Sequence, residues 1–274
     1  MKIIGKRKKQ YIRTLATTGI AATLLLIVSL FLTLPLLALV LRITPDLLMT
    51  YIPNETVQKA IWLSLMTSAI TTMIVILIGT PAAYFHSRTE YPGKTLVDTL
   101  IDLPLVLPPA VAGLALLLLF GRTGVLGKYL SFIGIDVAFT TLAVIIAQIF
   151  VSSPFYIRQA KALFEQLDPA YEETARTLGS SSLRTFLSII LPLTAGGLIS
   201  GAIMTFARAL GEFGATIMFA GNLPGVTQTM PLAIYAAMQG DFEVAITLSI
   251  LLVVISLTIM LSVKRFTRKW RYDV

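Results

Sequence analysis

The sequence predicts an all-α integral membrane protein with six transmembrane helices, and two observations carry that expectation. Hydrophobic residues fill 56% of the 274 positions and charged residues only 13%, about half the charged share of ordinary soluble domains. The apolar residues also gather in blocks near or above the roughly 20 residues a helix needs to cross a bilayer. These blocks run over 15–41, 60–83, 103–120, 137–155, 187–220 and 244–263, separated by connections at 42–59, 84–102, 121–136, 156–186 and 221–243.

The first block follows a basic tail (Lys2, Lys6, Arg7, Lys8, Lys9, Arg13). It is longer than the 7–15 apolar residues of a secretory signal, and no small-x-small cleavage site closes it. It therefore reads as a retained span over 13–41, ahead of a core region at 60–263 within a single membrane domain, 1–274. The third block opens on Pro104, Pro108 and Pro109, with an interfacial Asp102 just before it. Proline frees carbonyls and bends a helix, which membranes tolerate where protein or water satisfies the backbone. The three prolines mark either a pathway-lining segment at the cytoplasmic end of that span or a packing kink.

The fifth block exceeds one span, leaving room for tilt or an irregular middle. Its GLISG stretch at 197–201 has small residues four apart, a spacing suited to close helix packing. Further on, FARALGEFGATIMFAG places Arg208 and Glu212 in an apolar setting beside Gly211 and Gly214. Intramembrane charges are costly and face a bundle interior or a water-filled path, and i,i+4 spacing lets these two pair. Arg208 either meets a passing oxyanion with Glu212 holding its side chain, or the two form a bridge that locks helices. The connection at 221–243 has no Lys or Arg and offers Asn222, Thr227, Gln228 and Thr229. It is expected to face outside, as a contact for a solute-binding protein, part of an outer gate, or a solvated link. A short helix over 230–238 is expected at the channel mouth.

Lys and Arg set the orientation. The N-terminal tail, Arg88, Lys94, Arg158, Lys161, Arg176, Arg184 and the C-terminal Lys264, Arg265, Arg268, Lys269 and Arg271 fall on one side. Only Arg42, Lys59, Arg122 and Lys128 fall on the other. Both termini and the connection at 156–186 are thereby assigned to the cytoplasm, so the formal charge of +8 reflects topology and implies no nucleic-acid partner.

Cysteine is absent, which excludes disulfides and thiolate chemistry. The single His86 beside a basic turn reads as a surface residue, not a metal ligand. Neither catalytic residues nor a metal site is expected. The nearest match to a phosphate-binding loop, GRTGVLGKY at 121–129, has five residues between Gly121 and Gly127 and ends on Tyr129. Such a loop needs four, and a Ser or Thr for Mg²⁺. It reads as a Gly-rich turn on the outer side.

The connection at 156–186 contains DPAYEETARTLGSSS at 168–182. Asp168 is suited to cap a helix and Pro169 to open it. Glu172 and Glu173 complement the positive helix end, and Gly179 suits a left-handed stop. A second helix is expected from Leu183 into Pro192. The run ETARTLGSSSLRTFLSIILP resembles the cytoplasmic coupling loop of ABC importer permeases. Glu173, Ala175, Gly179, Ile189, Leu191 and Pro192 stand at that pattern's positions. Thr174 departs from it, standing where the family has Ala. With Glu172 and Leu178 these residues form the candidate ATPase-coupling set. The resemblance implies the type I importer permease fold and a role for the short helix in passing a partner's motion into the membrane.

RALGEFGATIMFAGNLPGVTQTMPLAIY at 208–235 and LPLVLPPAVAG at 103–113 narrow this. They resemble the permease subunit of molybdate/tungstate importers, over nearly everything from 60 to 263. The resemblance implies a multi-pass cell-membrane protein acting as a homodimer with two ABC ATPase subunits and an extracytoplasmic molybdate/tungstate-binding protein. No cofactor is then bound by this chain, and ATP and Mg belong to the partner subunit. Sulfate/thiosulfate import is the nearest alternative substrate. An ion-coupled secondary carrier using Arg208 and Glu212 is a further one, although such carriers show internal repeats and none is visible here.

Overall fold

The computed structural model describes residues 2–270, with side chains over 19–262, and the described residues are helical with no strand. Residues up to 49 and residues from 50 onward form two separate units. The first unit holds α1 (Lys2–Leu41), whose stretch Gly19–Leu41 has a mean hydropathy of 2.9. α2 (Pro45–Tyr51) follows.

The second unit starts with α3 (Glu55–Arg88), capped by Asn54, whose side chain accepts the Thr56 N–H at 2.9 Å. After it come α4 (Lys94–Val106), α5 (Pro109–Phe120), the short α6 (Gly127–Phe132) and α7 (Thr141–Gln166). α8 (Ala170–Thr177) and α9 (Ser182–Thr185) lead through a π turn (Phe186–Ile190) into α10 (Leu191–Leu210). α11 (Gly214–Ala220), α12 (Met230–Ala237) and α13 (Phe242–Trp270) complete the described residues.

Among the described residues, five helices are long and apolar enough to cross a membrane: Gly19–Leu41, Glu55–Arg88, Thr141–Gln166, Ser182–Leu210 and Phe242–Ser262. The sixth expected span is a bent pair, α4 and α5, turning by 115° at the break. The 12 residues of α5 reach only about 18 Å, well short of a ~30 Å hydrocarbon core. Pro108 and Pro109 explain the break, since neither supplies an N–H and each pushes the residue before it out of helix. The fifth block, expected over 187–220, is likewise two helices, separated at Gly211, Glu212 and Phe213.

α3, α7 and α10 form the centre of this unit. Tyr156 of α7 is buried against Val75 and Leu198, and its hydroxyl lies 2.6 Å from Thr80 Oγ1. The GLISG glycines make this approach possible: a Cβ at Gly197 would collide with Leu163, and one at Gly201 would press on Gln159. The GLISG contact is thus packing inside the chain. A second cluster joins α5, α7 and α11 through Ala112, Leu116, Val144, Ala147 and Phe219. A third joins α3 to α12 and α13 through Val57, Met230, Ala233 and Leu248.

Three of the polar residues inside these spans are satisfied locally, whereas the buried hydroxyls of Ser68, Thr205 and Thr216 find no partner among the described residues. Thr67, Thr72 and Thr80 return their hydroxyls to the carbonyls of Leu63, Ser68 and Ile76 at 2.7–2.8 Å, so they need no water in the membrane core.

Two expectations are corrected. His86 is buried, not superficial: its Nδ1 lies 2.6 Å from Tyr91 Oη and its Nε2 2.7 Å from Asp98 Oδ1. A carboxylate across the α3–α4 connection draws it inward, a pairing that local sequence does not reveal. The polar residues Thr227, Gln228 and Thr229 are also buried, and the Met230 N–H donates to Ser64 Oγ at 2.7 Å. That stretch of the connection at 221–243 folds into the core instead of presenting its neutral groups outward.

Candidate functional site

The segment at 168–192 is a helix stopped by a turn. Asp168 Oδ1 accepts the Ala170 N–H at 2.9 Å and opens α8. The helix closes where the Ser180 N–H reaches the Ala175 carbonyl and the Gly179 N–H reaches the Arg176 carbonyl, both at 2.9 Å. This paired closure needs a left-handed residue at its centre, and Gly179 has φ +83°. Ser181 then caps α9. Pro192 accounts for the π turn that follows. A proline at that point lacks the N–H for residue 188 and its ring crowds that carbonyl, and widening the turn, with the Leu191 N–H bonded to the Phe186 carbonyl, relieves the crowding.

α8 has two faces. Glu172 and Ala175 point inward, while Glu173, Thr174 and Gly179 are exposed and Leu178 is 83% exposed. Tyr171, Thr174, Ala175, Leu178 and Ile189 line an open hollow of about 460 Å³. Inside, Glu172 Oε1 accepts from Arg88 Nε at 2.8 Å and Oε2 from the Tyr84 hydroxyl at 3.0 Å. Arg88 Nη2 also donates to the Leu167 carbonyl at 3.1 Å. Sequence reasoning missed Tyr84 and Arg88. Arg88 was visible as a basic residue of the connection at 84–102, but its partner lies 84 positions away.

The second constellation lies at the two helix breaks. Pro104, Leu107, Pro109, Val151, Phe155 and Arg208 surround a cavity of about 130 Å³, so three of the residues singled out from sequence meet there. Pro108 sits just outside, at the N-terminal boundary of α5. Arg208 Nη2 is 2.7 Å from Glu212 Oε2, with the arginine side chain 30% exposed and the glutamate 2%. The second glutamate oxygen, Oε1, accepts the Ala215 N–H at 2.8 Å. That contact satisfies an otherwise unpaired amide at the start of α11. Glu212 is therefore fully engaged within the chain, and Arg208 alone of the pair faces the cavity.

Two glycines permit this assembly. A Cβ at Gly113 would stand 2.5 Å from the Ala215 carbonyl oxygen, and one at Gly214 would stand 2.5 Å from Pro109 Cβ. Neither site has room for a side chain, so α5 and α11 meet backbone to backbone.

The turn at 121–129 bonds its amides internally. The N–H groups of Gly121, Gly124 and Leu126 reach the carbonyls of Leu117, Gly121 and Leu119 at 2.7–2.8 Å, which leaves those amides no freedom to cradle a phosphate. Beside it, Asp136 accepts from the Ser131 hydroxyl at 2.8 Å and from Arg122 Nη2 at 2.9 Å. The two hold its carboxyl below the usual aspartate range, the hydroxyl contributing most. Among the described residues no group of three or more His, Cys, Asp or Glu is placed to hold a metal ion.

Comparison with known proteins gives the family of the chain. The family profile described as "Binding-protein-dependent transport system inner membrane component" matches residues 75–272. The molybdenum transport system permease protein ModB of Mycobacterium tuberculosis is 41% identical over 233 residues, 85% of this chain and 88% of that protein. ModB of Escherichia coli K12 is 40% identical, covering 77% and 95% of the two chains. The sulfate transport system permease protein CysT of Escherichia coli K12 is 36% identical, over 90% and 92%. Among solved structures, a bacterial ABC transporter involved in the import of the acidic polysaccharide alginate superposes with a TM-score of 0.71. It is 19% identical and covers 91% of this chain and 94% of that one, so it speaks to the fold alone.

Proposed function

This chain belongs to the binding-protein-dependent transport system inner membrane components, the permeases of ABC importers, and from that premise we propose that it is the channel-forming subunit of a molybdate/tungstate importer. One observation supports the substrate more than any other: the 41% identity to a molybdenum transport permease across 85% of the chain. The subunit works as a homodimer in the cell membrane with both termini in the cytoplasm. Two ABC ATPase subunits dock on α8, and an extracytoplasmic binding protein delivers the oxyanion. ATP and Mg bind to the ATPase.

The chain's own residues divide the work. Tyr171, Leu178 and the hollow beside them offer the ATPase an apolar surface around the exposed Glu173. The Gly179 turn and the π turn link α8 to α10, so a shift of α8 is handed to the helix that carries Arg208. At the breaks, Glu212 holds Arg208 from behind, and the guanidinium meets a dianion at the cavity bounded by Pro104 and Pro109. A single cation contact there guides without trapping, as a permeation path requires.

Sulfate is the second reading, because a sulfate permease is 36% identical over 90% of this chain. Uptake by the complete complex in liposomes, with ATP inside the lumen space that faces α8 and each oxyanion supplied opposite, separates them. Molybdate or tungstate accumulation supports the proposal. Accumulation of sulfate alone replaces the substrate and keeps the mechanism.

A further inference from the structure

The last two turns of α3 include three polar side chains, Tyr84, His86 and Arg88, with opposite duties. Tyr84 and Arg88 are four apart and share a face. Both bond Glu172 of α8, and Arg88 also holds the Leu167 carbonyl at the end of α7. His86 is two residues from each, about 200° around the helix, and its Nε2 meets Asp98 of α4 at 2.7 Å. Lys161 of α7 bonds the same carboxylate oxygen. Nine residues beyond Asp98 lies Leu107, where α4 breaks against α5 beside the Arg208 cavity.

We propose that the end of α3 is a transmission node, with Glu172, Arg88 and Tyr84 as positioning residues that convey a displacement of α8 through His86–Asp98 to α4 and the break at Leu107. This rests on the importer reading above and adds to it a second route, separate from the direct α8–α10 link. Burial makes the node stiff. The Arg88 and Glu172 side chains are only 19% and 9% exposed, and a charge-assisted pair shielded from water is stronger and less screened than a surface pair. Arg88 serves two acceptors through its planar fork, a geometry that lysine lacks. Asp98 ties α4 to the α3 end through His86 and to α7 through Lys161, so a shift of the α3 end is passed to α4.

The chain has no cysteine, so Leu107→Cys is a single reporter within it. In the complex reconstituted with its ATPase, the rate at which a charged maleimide modifies position 107 is read by mass spectrometry of the permease. Rates are compared without nucleotide and with ATP plus vanadate. The proposal predicts a nucleotide-dependent rate in the Leu107→Cys background that falls at least about threefold in its nucleotide response with Glu172→Gln or Arg88→Gln. Arg88→Lys is expected to retain part of it. Uptake per ATP hydrolysed should fall in the same order. If the Gln variants do not assemble with the ATPase, Tyr84→Phe, which removes one hydroxyl, should show an intermediate loss. An unchanged nucleotide response in the Gln variants, or in Tyr84→Phe where those fail to assemble, overturns the node, as does a rate at position 107 that ignores nucleotide. The thiol readout needs no transported solute. A wrong substrate therefore shows separately, as absent oxyanion uptake by a complex whose position 107 still responds to nucleotide.

Discussion

Glu212 faces Arg208 at 2.7 Å with one oxygen and the Ala215 amide at 2.8 Å with the other, while only the arginine reaches a cavity. The two charges are thus unequal, and their removal should be too. Arg208→Ala leaves a carboxylate that is 2% exposed without its cation, and stranding a buried charge costs about 3–5 kcal/mol. Glu212→Ala leaves an arginine that can turn into the cavity, so the loss should be smaller. Thermal unfolding of the solubilised protein should rank Arg208→Ala as the less stable. Equal losses would contradict this asymmetry.

Gly179 offers a test in which sterics and backbone separate. A Cβ there meets nothing within 4 Å, yet φ is +83°. Any penalty is therefore conformational, roughly 1–2 kcal/mol for an ordinary residue. Gly179→Val should reduce ATP-coupled uptake, whereas Gly179→Asn, which tolerates the left-handed region, should largely preserve it. Parallel uptake assays of the two variants check this.

Much of that segment was legible from sequence because its chemistry is local. The Asp168 cap, the Gly179 stop and the helix restart each depend on residues within a few positions, and each is found. The inward turn of Glu172 was not legible, because Tyr84 and Arg88 come from a helix more than 80 positions away. Thr227–Thr229 escaped for the same reason, since the adjoining Met230 amide bonds Ser64 of α3, while the burial of His86 depends on the turn that brings Tyr91 and Asp98 back onto its ring. Hydropathy found six apolar blocks but not the 115° bend between α4 and α5 or the break at 211–213. A hydropathy window averages over the two or three residues that make a break, although Pro108, Pro109 and Gly211 were in view.

Gly113→Ala and Gly214→Ala should each loosen the α5–α11 contact, since the new methyl group would lie 2.5 Å from the Ala215 oxygen or Pro109 Cβ. Overpacking of this kind costs about 1–3 kcal/mol. The two sites share one interface, so the double variant should lose less than the sum of the singles. A double-mutant cycle in thermal unfolding gives the coupling, and strict additivity would show that the glycines act independently.

The loop at 121–136 should be pH-sensitive. Ser131 and Arg122 lower the Asp136 pKa from its ordinary 3.8. A group lowered on folding contributes stability above its unfolded pKa, and the contribution is lost as pH falls through the folded value. Protease cleavage in this loop should therefore be faster in Asp136→Asn than in the parent at pH 6. The difference should shrink as the pH falls below about 3.9, the unfolded aspartate range. A difference that persists undiminished to low pH would contradict the assignment.

The most direct test is uptake of radiolabelled molybdate by liposomes holding this chain, its ABC ATPase and its binding protein, compared with tungstate and sulfate. ATP-dependent accumulation of molybdate or tungstate, reduced in Gly179→Val, is the predicted result. Accumulation that needs no ATPase and follows an ion gradient would contradict it.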